Sequence, residues 1–117
     1  MTAPRYDVLG IGNAIVDVIA RAEDDFLVAQ GMHKGTMALI DEARAQTIYA
    51  AMGPAVESSG GSAANTIVGV ASFGAKAAFV GKVKNDDLGH AFTRDIRAAN
   101  VAFDTSPASG GPSTARC

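Results

Sequence analysis

Apolar runs of β type alternate along this chain with segments patterned as helices, and glycines mark many of the boundaries. Tyr6 to Ile11 is rich in β-formers and runs into Gly10 and Gly12, which reads as a buried strand. Ala14 to Ala20 carries Ile15, Val16, Val18 and Ile19 and reads as a second extended segment, with Asp17 inside the apolar run. Glu23 to Gln30 has acidic residues in a first turn and Gly31 after its end, the pattern of a short helix. Thr36 to Ile40 reads as a short strand. Asp41 is a good N-cap for a helix whose Ala45, Ile48, Tyr49 and Met52 share one face, and Gly53-Pro54 stops it. A brief strand at Val56 to Ser59 leads into Gly60-Gly61-Ser62, which opens a helix running to about Phe73 with Gly74 as its stop. Ala63, Ile67, Val70 and Ala71 lie on one face of that helix. Ala77 to Val83 is a strand. Asp86 or Asp87 begins a helix with Leu88, Phe92, Ile96 and Ala99 on one face and Asn100 as a left-handed stop. Val101 to Thr105 is the next strand, Pro107 to Pro112 a turn-rich connection, and Ser113 to Cys117 the opening of another strand. Strands that alternate with helices in this way predict an α/β domain with a largely parallel sheet.

Composition narrows the function classes. The 117 residues suit one modest domain, and a hydrophobic fraction of 48% with 19% charged residues is that of a globular chain. The formal net charge is −2 and the basic residues are scattered. Their densest group, Lys76, Lys82 and Lys84, reads as a solvated strand end and loop, which argues against a nucleic acid or anionic membrane partner. With Cys117 as the single cysteine no internal disulfide can form, and a reducing cytoplasm is expected. Asn13 and Asp17 interrupt the apolar stretch from Val8 to Ala20, so it is neither a signal peptide nor a membrane span.

Two nucleotide motifs come close and fail. Gly10-Ile11-Gly12 begins like a dinucleotide fingerprint, but Ile15 stands at the third glycine position and an extended segment follows. Gly81-Lys82 resembles the end of a Walker A loop, but Val83 replaces the Ser/Thr and Lys76 stands at the earlier glycine position. His33 and His90 have no evident metal partners, and no metal site is expected. What remains is a pair of elements far apart in sequence: Gly10-Ile11-Gly12-Asn13-Ala14-Ile15-Val16-Asp17 and Gly60-Gly61-Ser62-Ala63-Ala64-Asn65-Thr66. Glycines let a ligand approach the backbone, and a helix opening at Gly61 presents free N–H donors. Asp17 supplies two acceptor oxygens suited to adjacent hydroxyls, and Asn65 supplies a donor and an acceptor. Taken singly, Asp17 is a strand-end residue facing water, Asn65 a first-turn residue and Gly60-Gly61 a turn. Their combination is the chemistry of a polyhydroxy-compound site.

The first element resembles the N-terminal Gly-Asn…Asp segment of adenosine kinase-like proteins. The second, extended as GGSAANTIVGVASFGAKAAFVGKVKNDDLG, resembles the first signature of the ribokinase/PfkB carbohydrate kinase family. The resemblance runs from Tyr6 to about Thr105. Lys84 stands where the family usually has glycine, and Ile67 where a small residue is commoner. The resemblance implies a ribokinase-like three-layer α/β/α fold with a largely parallel sheet and a small β lid. Residues 1–117 would be the N-terminal part of that single domain, with lid strands at about 14–20, 36–40, 56–59 and 101–117. It implies an ATP-dependent kinase acting on a nucleoside or sugar hydroxyl, adenosine first and then fructose- or ribose-type sugars. Asn13, Asp17, Gly60, Gly61, Ser62 and Asn65 would bind the substrate. The nucleotide-binding part, the general base and the second signature are expected beyond Cys117, with ATP and Mg²⁺ as cofactors of the longer parent, so no catalytic residue is expected in these 117 and none of its own activity. The resemblance also offers the lid strands as a surface for homodimer pairing, with the oligomeric state left open. The competing classes are an NAD-dependent oxidoreductase, resting on Gly10-x-Gly12, and a non-catalytic sugar-binding or subunit-interaction fragment.

Overall fold

A computed structural model describes residues 2–117. In chain order the elements are β1 (Val8–Ile11), β2 (Ile15–Ala20), α1 (Asp24–Ala29), α2 (Glu42–Ala51), β3 (Ala55–Gly60), α3 (Ser62–Ser72), β4 (Ala77–Val80), α4 (Asp87–Ala98), β5 (Val101–Ala102) and β6 (Ala115–Arg116). The chain divides into two compact units, one comprising the residues up to Asp17 with Glu57–Cys117, the other Val18–Val56.

The first unit is built on the sheet β1-β4-β5. β4 runs parallel to β1, from Val8↔Ala77 to Ile11↔Val80, and parallel to β5, with Ala77 opposite Val101. Parallel neighbours need a crossover, and α3 and α4 supply the helices that precede β4 and β5. α3 packs on β1, β4 and β5. It comes so near β1 that a Cβ on Gly10 would lie 2.9 Å from Cδ1 of Ile67, and one on Gly12 would lie 2.8 Å from the Cβ of Ala63. Gly10 and Gly12 therefore serve first as the seat of α3, where the sequence reading gave them to a ligand. Phe79 of β4 is paired with Gly10 and so shares its face. There it meets Phe92 of α4 and Phe103, with ring centroids 5.9 Å and 6.1 Å away and 5.3 Å between the latter two. These rings, with Ile96, are the largest fully buried side chains of the unit besides Val16. Offset and edge-on rings at such spacings add about 0.5–1.5 kcal/mol per pair beyond their buried area.

Local signals explain the helix ends. Asp86 caps α4 by accepting from the Gly89 amide at 2.8 Å, and Asn100 takes φ 64° after its last turn. In the second unit Asp41 caps α2 through the Arg44 amide at 2.7 Å, and Gly31, φ 64°, closes α1. That unit also holds an apolar hollow of about 370 Å³ lined by Phe26, Leu27, Met32 and Met52.

A second sheet has the order β3-β2-β6. β6 runs parallel to β2, with Ile15↔Ala115 and Val16↔Arg116, and the Cys117 amide donates to the Val16 carbonyl at 2.9 Å.

Three expectations are corrected. Thr36–Ile40 forms no strand, and Leu39 is 93% exposed, because this β-patterned run finds no strand to ladder with. Val101–Ala102 joins the β1-β4 sheet and not a lid, because it follows α4 in a β-α-β step that lays it beside β4 with Val101 buried. It also ends early: the Phe103 carbonyl is taken by Nε and Nη2 of Arg97, at 3.0 and 2.7 Å, in place of a strand partner. β4 likewise stops at Val80 and not Val83, where its partner β1 ends at Ile11.

Candidate functional site

β2 carries Asp17 two strand residues after Ile15, and β3 delivers Gly60 beside it. A Cβ on Gly60 would lie 2.6 Å from both Cγ and Oδ1 of Asp17, so the carboxylate rests over bare backbone. Asp17 is half-buried, yet its oxygens accept no hydrogen bond and join no ion pair among the described residues. A carboxylate drawn partly out of water without a protein partner costs free energy unless something else supplies donors.

The neighbouring residues supply a frame for that something. Gly61 has φ +96°, a region that disfavours side chains, and a Cβ there would stand 2.9 Å from the Asn13 carbonyl oxygen. The turn between β1 and β2 thus lies against the entry to α3. Gly61 is the N-cap of α3 and offers no capping side chain, so the first-turn amides are left without one; the helix bonding begins with the Asn65 amide donating to the Gly61 carbonyl at 2.9 Å. Ser62 and Asn65 stand three residues apart on this exposed first turn, and the Ser62 carbonyl accepts from the Thr66 hydroxyl at 2.8 Å. Asn13 is exposed. The structure therefore brings Asn13 and Asp17 together with Gly60 and Gly61, and sets Ser62 and Asn65 on the helix turn that follows.

Asn13 also borders a cleft of about 510 Å³ between the β1–β2 turn, Lys82–Lys84 and the segment from Ala108 to Ala115. Here the structure adds residues that sequence reasoning left aside. Nζ of Lys82 donates to the Ser106 carbonyl, and Nζ of Lys84 to the Gly111 carbonyl at 2.9 Å. Thr114, 3% exposed, is the buried polar residue of the described chain. Its hydroxyl donates to Oδ1 of Asp86 at 2.7 Å, its amide to Oδ2 at 3.0 Å, and its Oγ1 accepts from the Lys84 amide at 2.9 Å. Burial pushes the Asp86 carboxyl up, but the hydrogen bonds from Thr114 and Gly89, with the Lys84 charge, prevail and hold it below its ordinary value. The sequence marked Asp86 or Asp87 as the helix start, and the structure gives the cap to Asp86; no local signal announces its partner 28 residues away.

A dinucleotide site does not fit, because strand β2 follows β1 where a phosphate-binding helix would have to start. Among the described residues no three His, Cys, Asp or Glu side chains gather as a metal site, and no helix is long and apolar enough to cross a membrane.

Comparison with known proteins shows the family and agrees with the fold. Residues 8–117 match the pfkB family carbohydrate kinase model. The structure of adenosine kinase from Sinorhizobium meliloti superposes with a TM-score of 0.80 at 59% identity, over 97% of this chain and 35% of that one. A probable sugar kinase from Rhizobium etli CFN 42 gives 0.80 at 54% identity, over 96% of this chain and 34% of that one. A 5-dehydro-2-deoxygluconokinase of Lacticaseibacillus casei is 49% identical over 47 residues, 40% of this chain and 14% of the relative. The chain thus spans about a third of the length of these solved structures and less of the curated relative.

Proposed function

Because the chain belongs to the pfkB family of carbohydrate kinases, we propose that the full natural protein transfers the γ-phosphate of ATP to a hydroxyl of a nucleoside or sugar, with adenosine the first substrate and fructose- or ribose-type sugars next. The observation that carries this reading is the Asp17 carboxylate, half-buried, without a protein partner and laid over Gly60. Two acceptor oxygens match two neighbouring hydroxyls of a sugar ring, and hydrogen bonds to a charged group are worth about 1.5–3 kcal/mol. The preference for adenosine is supported by the 59% identity to a protein described as an adenosine kinase.

In this reading the acceptor hydroxyl attacks the γ-phosphorus, the bond to the β–γ bridging oxygen breaks, and the hydroxyl proton leaves to a base. ATP with Mg²⁺ supplies the phosphoryl group and the neutralisation of its charge. The residues of this chain bind and orient the acceptor: Asp17 and Asn13 hold hydroxyls, Gly60 and Gly61 admit it to the backbone, and Ser62 and Asn65 close one side. Fixing the acceptor removes much of the entropy cost of the encounter. We assign the sheet β3-β2-β6 to the lid, and its edge strands β3 and β6 to pairing with a second copy.

The test is phosphoryl transfer by the full natural protein with ATP and Mg²⁺, following ADP release with adenosine, ribose and fructose. The expected result is the highest kcat/KM with adenosine. Release of ADP with none of the acceptors would overturn the reading.

A further inference from the structure

The clasp between Thr114 and Asp86 has more in it than a helix cap requires. Capping α4 needs one acceptor for the Gly89 amide, which Oδ1 provides at 2.8 Å. Oδ2 is given to the Thr114 amide, the Thr114 hydroxyl returns to Oδ1, and the Lys84 amide donates to that hydroxyl oxygen. One threonine thereby ties the start of α4, the loop that follows β4 at Lys84 and the chain that leads into β6.

Its position in sequence gives the clasp its consequence. Pro112, Ser113 and Ala115, which flank Thr114, line the cleft that Asn13 borders. Ala115 is also the residue opposite Ile15, midway between Asn13 and Asp17, and the Cys117 amide bonds Val16. The other anchor of this segment lies at Ala108, whose amide donates to the Val83 carbonyl at 2.8 Å and whose carbonyl accepts from the Asn85 amide at 2.9 Å. Between Ala108 and Thr114 are Gly110 and Gly111, the latter at φ +85° with its carbonyl accepting from Nζ of Lys84 at 2.9 Å in an exposed hydrogen bond. A segment of this composition holds its shape through its ties to neighbouring elements, and the Thr114 clasp is the buried one of them, next to the cleft wall and to the register of β6 on β2.

We propose that Thr114 and Asp86 are positioning residues for the acceptor site: their clasp fixes the 112–115 wall and the β6 register, and through them the placement of Asn13 and Asp17. This rests on reading Asn13 and Asp17 as the acceptor site, and the experiment separates the two claims.

Adenosine affinity is measured by calorimetry on the full natural protein and on four variants, with far-UV circular dichroism confirming that each is folded at the assay temperature. Thr114→Val keeps the shape and removes the hydroxyl, and Asp86→Asn sets a donor against a donor. Each should raise the adenosine Kd by roughly tenfold, the scale on which small misplacements of a site act. Thr114→Ser, which keeps the hydroxyl, should stay within about twofold of the parent, which a loss of general stability would not explain. Folded Thr114→Val and Asp86→Asn proteins with the parent Kd would overturn the clasp, and so would a Thr114→Ser protein as weak as Thr114→Val. If Asp17→Ala weakens adenosine binding while the clasp variants do not, the clasp alone falls; if Asp17→Ala binds normally, the site reading falls and takes the clasp with it. Where the clasp variants do not fold, hydrogen exchange on the parent decides. Coupling is reciprocal, so adenosine should slow exchange at the Lys84 and Thr114 amides, and unchanged exchange there overturns the proposal.

Discussion

A single methyl group at Gly60 should weaken acceptor binding while leaving the protein as stable as before. Gly60 has no positive φ, so its backbone accepts alanine without strain. The new Cβ would meet Cγ and Oδ1 of Asp17 at 2.6 Å, well inside contact distance, and the carboxylate is the movable partner. Turning it off its rotamer costs about 0.5–1.5 kcal/mol. Replacing glycine by alanine returns about 0.4–1 kcal/mol by restricting the unfolded chain. The two nearly cancel, so the melting temperature of Gly60→Ala should move little. In the proposed role of Asp17, the displaced carboxylate would lose charge-assisted hydrogen bonds to the acceptor, about 1.5–3 kcal/mol, or roughly 10- to 100-fold in Kd. Calorimetry with adenosine and a thermal melt on the full natural protein test both halves. Unchanged affinity in a folded Gly60→Ala protein would remove Asp17 as the acceptor's anchor.

Gly61→Val should be worse than Gly60→Ala in both respects, since φ +96° and the Asn13 carbonyl at 2.9 Å oppose any side chain; a loss of about 1–3 kcal/mol from backbone strain alone is expected in urea unfolding. Phe92→Ala opens a cavity in the aromatic cluster and should cost about 3–5 kcal/mol, read from the unfolding midpoint. The Asp86 carboxyl is depressed in the folded state, so its contribution is present above its unfolded value of 3.8 and is lost as pH falls through the lower folded value. Unfolding free energies measured between pH 5 and pH 2 should therefore fall less steeply for Asp86→Asn than for the parent.

Much of the fold is legible where the cause is local. Asp41 and Asp86 cap their helices and Asn100 takes the left-handed turn because a short polar side chain carries those preferences with it. Leu88, Phe92 and Ile96 are buried together because helical spacing alone puts them on one face. What is not legible depends on which segments meet. Thr36–Ile40 has β-type residues, but a strand needs a neighbour, and nothing in five residues says whether one exists. Gly10 and Gly12 announce that something approaches the backbone without saying what, and it is α3. At the candidate site, Asn13, Asp17, Gly60 and Gly61 stand out because small and polar residues cluster within each element, whereas Thr114 looks like one more loop threonine until its partner, Asp86, is seen.

Whether Asp17 anchors the acceptor is decided by a crystal structure of the full natural protein with adenosine bound. Neighbouring ribose hydroxyls should lie within about 2.5–3.0 Å of the two Asp17 carboxylate oxygens, with the ribose over Gly60 and Gly61. Adenosine bound elsewhere, or bound here with Asp17 facing only solvent, would contradict it.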